Sequence, residues 1–80
     1  MTQTTQRTGQ GADQGIYPID NQTYDLMQAL VSKCEAIEAY RKYADDGDER
    51  SRKLFEDLMR DERQHADRIL GALKESLQRQ

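Results

Sequence analysis

From about residue 20 onward, apolar residues recur at helical spacing. Placed at about 100° per residue, Leu26, Leu30, Cys34, Ile37 and Ala44 fall on one side of a first helix, with Met27 and Tyr40 on its flanks. Leu54, Phe55, Leu58, Ile69, Leu73 and Leu77 gather on one side of a second, with Met59, Ala66 and Leu70 close by. The ends of both are marked by cap and turn residues. Asp20 or Asn21 suits an N-cap, because either side chain accepts a bond from an otherwise unpaired amide of the first turn. The first helix is predicted from there to Ala44 or Asp45. Asp45-Asp46-Gly47-Asp48 then closes one helix and opens the next: Gly47 suits the left-handed conformation after a helix end, and Asp48 the following N-cap. Glu49 complements the dipole of the new helix, which is predicted to run to about Leu77 with Gly71 as its weak point, costing about 1 kcal/mol relative to Ala. A connection this short makes the two helices antiparallel neighbours.

The beginning of the chain reads differently. Met1 to Gly15 is Thr, Gln and Gly with hardly any apolar side chain, too little to offset the entropy of ordering, so a flexible tail is expected. Ile16, Tyr17, Pro18 and Ile19 make a short apolar strap, kept out of helix because Pro18 restricts the residue before it. The domain reading is a tail over residues 1–18 and a helical hairpin over residues 19–80.

Length then changes the picture. Eighty residues make one domain with a modest core, and each apolar stripe is wider than one partner helix can cover. A lone hairpin would leave a long apolar strip in water. Two hairpins closing face to face would remove it, so the expected fold is all-α: a two-helix antiparallel hairpin that dimerises into a four-helix bundle. The net charge of −3 comes from acids and bases interspersed from Asp45 onward, with no basic stripe to hold nucleic acid. Arg50, Arg52 and Lys53 are part of that solvated mixture. Cys34, the one cysteine, has no intrachain disulfide partner and reads as a small buried hydrophobe rather than a ligand. No apolar run is long enough for a membrane span or a signal core. A reducing, cytoplasmic setting is the expectation.

Candidate chemistry lies on the second helix. Glu62 falls at the centre of its apolar stripe and His65 on the edge, three residues on, a spacing that lets a carboxylate and an imidazole reach one metal from adjacent turns. A carboxylate at such a place loses hydration worth several kcal/mol unless a cation or donors replace it. Lys33, projecting from the middle of the first helix's stripe, is the alternative cation, so a metal and a plain ion pair both satisfy the pattern.

Glu62-Arg63-Gln64-His65-Ala66, together with Ala36 and Tyr40 spaced as three and seven residues after a first-helix position, resembles ferritin-like proteins and rubrerythrins in particular. The stretch Glu35-Ala36-Ile37-Glu38-Ala39-Tyr40, the short turn and the length are similar to the encapsulated ferritins, half-ferritins of two main helices. The likeness covers roughly Leu26 to Leu73. It implies a ferritin-like four-helix bundle completed by a homodimer, a di-iron ferroxidase centre at the interface, and larger rings of dimers carried as cargo inside an encapsulating protein shell. It also implies that Tyr40 hydrogen-bonds a ligand carboxylate, although a Tyr at a core edge with its hydroxyl in water is equally ordinary.

The chain departs from that pattern at Lys33, which stands where the family has a ligand Glu. A protonated ammonium cannot coordinate iron. Two copies would then offer two Glu62 and two His65. Glu38 is a further candidate ligand if the first helix rotates, while Glu35 points nearly to the opposite face and suits an entry path or a surface role. The reading is an iron-binding half-ferritin for storage or detoxification, oxidising Fe(II) if two irons fit, with manganese or zinc as other ions such ligands take. Its alternative is a non-enzymatic helical interaction module in which a Lys33–Glu62 ion pair replaces the metal.

Overall fold

The computed structural model describes residues 18–79. The expected tail and the first half of the strap, Ile16 and Tyr17, lie outside the described residues. Pro18 and Ile19 form a bend before the first helix, with Ile19 half-buried. Helix α1 spans Asn21–Asp46 and helix α2 spans Glu49–Gln78. They are about 39 and 45 Å long at 1.5 Å per residue, and they pack against each other along their length. Among the described residues there is no strand.

The helix starts follow the cap chemistry. The Asp20 carboxylate accepts from the Thr23 amide at 2.8 Å, and the Asp48 carboxylate accepts from the Ser51 amide at 2.9 Å. Each satisfies one of the amides that a helix N-terminus leaves without an intrahelical partner. The Ser51 bonds hold the Asp48 carboxyl below its ordinary value of 3.8.

Gly47 corrects one expectation. It is extended, at φ −94° and ψ 169°, and not left-handed; its amide donates to the Ala44 carbonyl at 3.4 Å. What the turn demands of Gly47 is space: a Cβ there would lie 2.8 Å from the Ser51 Cβ. The chain doubles back so tightly that α2 begins against the turn itself. At Gly71 a Cβ would meet nothing within 4 Å, so that glycine makes no packing contribution and costs helix propensity only.

The two helices lie side by side in a single layer. A slab one helix thick has a seam and two open flanks. The seam is narrow. Ala44, Ala66 and Leu73 are its buried apolar residues, while Leu26, Leu30, Ile37, Phe55, Leu58, Met59 and Ile69 are only half-buried. Leu54 and Leu77, expected on the second stripe, and Leu70, expected beside it, lie exposed, as does Cys34, expected in the core. The reason is geometric: a stripe more than 100° wide meets a single neighbour, so its margins face solvent.

Two features join the ends of the seam. Near the turn, Phe55 of α2 lies between Tyr40 and Tyr43 of α1, stacked on the first at 5.9 Å and edge-on to the second at 5.4 Å between ring centroids. At the opposite end Thr23 and Ser76 share a hydroxyl hydrogen bond of 2.6 Å, with exposures of 0% and 2%. Periodicity did not single out either hydroxyl, because both are polar letters inside an apolar pattern.

Candidate metal centre

Midway along the seam the two helices bring three ionisable side chains to one oxygen. Glu62 and His65 leave α2 one turn apart, and His65 Nδ1 lies 3.2 Å from Glu62 Oε1. Lys33 crosses from α1 and sets its ammonium 3.1 Å from the same Oε1. The position follows from the two periodicities: Lys33 and Glu62 each sit at the centre of their helix's inward stripe, so antiparallel packing puts them opposite each other. The Glu62 side chain is 19% exposed, that of Lys33 35% and that of His65 51%. The site therefore lies at the border between seam and flank, with Glu62 inward and His65 outward.

The charge state of Glu62 follows from its neighbours. The His65 hydrogen bond first, and the Lys33 ammonium second, hold its carboxyl below the ordinary 4.5. Partial burial works in the other direction and is outweighed. Beside the site, His65 lines an open groove of about 300 Å³ with Leu26, Arg68, Ile69 and Ala72. Arg68 was not marked by sequence reasoning, although its place one turn after His65 was the signal available.

The other candidates are elsewhere. Glu38 is exposed and lines a second groove with Cys34, Ile37, Arg41, Met59 and Arg63, apart from the Glu62 and His65 pair. Glu35 is exposed. Tyr40 belongs to the aromatic cluster near the turn.

The donor set permits a test of fit. A carboxylate oxygen and an imidazole nitrogen each about 2.0–2.2 Å from one ion stand about 3 Å apart, and the observed separation is 3.2 Å. The separation is that of a hydrogen bond and is also compatible with neighbouring ligands of one ion. Among the described residues no group of three or more His, Cys, Asp or Glu side chains converges, and those of one chain bring two donors together at this site. Two chains would supply four, which suits one shared ion. That set does not suit the two-iron centre implied by the resemblance, because Lys33 brings positive charge to the position of the missing carboxylate.

Also among the described residues, no helix is long and apolar enough to cross a membrane. No curated protein and no solved structure matches the chain. A family profile described as Rubrerythrin matches residues 25–79, a span that takes in nearly all of both helices and the Lys33, Glu62 and His65 site. With more than half of its length matched, and with a helical hairpin that carries the Glu-x-x-His turn, the chain belongs to the rubrerythrin family, an iron-binding family of the ferritin-like group.

Proposed function

We propose that this chain is a half-bundle that pairs with a second copy across the flank bearing His65 and binds one iron-type divalent ion between the two Glu62 and two His65 side chains. The carrying observation is the 3.2 Å approach of His65 Nδ1 to Glu62 Oε1 at the margin of the seam. Glu62 brings an anionic oxygen that its surroundings keep ionised, and His65 brings an imidazole that ligates once the proton it shares with Glu62 is displaced. Such donors suit iron or manganese and also take zinc. The pairing is supported by the exposed margins of both apolar stripes, since a second hairpin laid on one flank would cover them. Sequestration of a metal ion asks only for these four ligands. Oxidation of Fe(II) at paired irons asks for carboxylates at the position Lys33 occupies, so the proposal is binding.

The second reading has its own observation. With Lys33 Nζ 3.1 Å from Glu62, the carboxylate already holds a cation, and a helical interaction module would need nothing further. Metal analysis of protein purified without a metal-binding tag, combined with its mass in solution, separates the two. One ion per two chains, abolished by Glu62→Ala and by His65→Ala with the helices retained, is the expected result. A metal-free assembly that takes up no added Fe(II), Mn(II) or Zn(II) would establish the interaction module instead. A monomer at micromolar concentration would defeat the shared site.

A further inference from the structure

We propose that Lys33 is a resident counter-cation: it neutralises Glu62 in the metal-free protein, must leave when an ion binds, and so sets how tightly any ion is held. This rests on the binding proposed above. Three observations carry it. The first is that a single oxygen is shared, since Lys33 Nζ and His65 Nδ1 lie 3.1 and 3.2 Å from the same Glu62 Oε1. An ion ligated by that oxygen and that nitrogen would sit within a few ångströms of the ammonium, and like charges at such a distance repel strongly even when partly solvated.

The second is the burial gradient. Glu62 is the least exposed of the three at 19%, so removing the Lys33 ammonium leaves a poorly hydrated carboxylate. Lys33 is 35% exposed, and its four-carbon stem can carry the ammonium outward to water without moving α1. The third is provenance. Glu62 and His65 come from α2 and Lys33 from α1, so the lysine also ties the helices in the absence of metal. A chain with carboxylates on both helices would need the metal for that.

The consequence is an exchange. A divalent ion enters the Glu62 and His65 pair in place of their hydrogen bond, the imidazole proton leaves Nδ1 and the neutral ring keeps one on Nε2, and the Lys33 ammonium moves to solvent with its own proton. Lys33 therefore lowers metal affinity and makes the fold independent of metal, two effects that a purely structural ion pair would not combine.

The test uses the full-length chain and Co(II) alone as probe, read by its visible absorption and by competition with a chelating indicator, together with thermal melting in the presence of a chelator. Lys33→Met is expected to bind Co(II) at least ten-fold more tightly than the unaltered chain and to melt at a lower temperature without metal. Lys33→Met/Glu62→Gln, with the charge removed from both sides, should regain the melting temperature and lose Co(II). Should Lys33→Met fail to fold without metal, recovery of its helix by Co(II) supports the exchange and failure of that recovery overturns it. Unaltered protein that binds Co(II) with an affinity Lys33→Met leaves unchanged overturns the role of Lys33 alone. Absence of binding in the unaltered chain, Lys33→Met and Lys33→Glu overturns the shared metal site and this inference with it.

Discussion

Two polar contacts cross the same helix seam and are built in opposite ways. At the open end, Thr23 and Ser76 share a neutral hydrogen bond of 2.6 Å and are almost completely sealed. At the middle, Lys33 and Glu62 form a charged pair at 3.1 Å that remains in touch with water. The difference follows from the cost of desolvation. A hydrogen-bonded hydroxyl pair carries no net charge and can be closed off from water at little cost. Full burial of a carboxylate and an ammonium costs several kcal/mol per ion, so the middle stays partly open. The sealed end is consequently a clamp, and the half-open middle is where one cation can replace another.

The clamp should carry the largest effects. Leu73 is 7% exposed and lies one turn before Ser76. Leu73→Ala is expected to lose about 2–4 kcal/mol in chemical denaturation, and a loss comparable to that of a half-exposed leucine such as Leu58→Ala would show that the end is not sealed. Next comes the hydroxyl pair. Thr23→Val keeps the shape and removes the hydrogen bond to Ser76, for an expected loss of about 1–3 kcal/mol. Adding Ser76→Ala to Thr23→Val should cost less than the two single losses together, as a double-mutant cycle would detect. Additive losses would mean that the two hydroxyls act independently.

The smallest effect is expected at the middle, and it is read from the pH dependence of stability. Because the folded state holds the Glu62 carboxyl below 4.5, its contribution to stability is present above that pH and is lost as pH falls through the depressed folded value. The Asp48 cap, also depressed, loses its contribution in acid as well. With a chelator present, Glu62→Gln should therefore flatten the fall in stability below about pH 4.5 while leaving the Asp48 part in place. A variant whose acid response matched that of the unaltered chain would remove Glu62 from the ion pair.

Much of the architecture was legible in the residues. The spacing of Leu26, Leu30 and Ile37, the caps at Asp20 and Asp48, and the brevity of the turn at Gly47 led to two antiparallel helices whose ends lie within about a residue of those observed. These are local effects, set by side chains a few positions apart. The opposition of Lys33 and Glu62 was legible for the same reason, since each stands at the centre of its stripe. The conformation of Gly47 was not: a glycine after a helix end suggests a left-handed residue, and the observed extended backbone answers to the close approach of Ser51, a contact that exists only once both helices are in place.

The sequence by itself determined the helices, their antiparallel order and the family to which they belong, because periodicity, caps and the Glu-x-x-His spacing are properties of one helix at a time. Only the tertiary structure decided which residues of each stripe are buried. It sealed Thr23 against Ser76, left Cys34, Leu54 and Leu77 at the margins, set Glu38 in a groove of its own, and joined Lys33 and His65 at one oxygen of Glu62. The physical reason is that a helix presents a surface wider than one neighbour covers, so the partition between seam and flank depends on how the second helix lies across it.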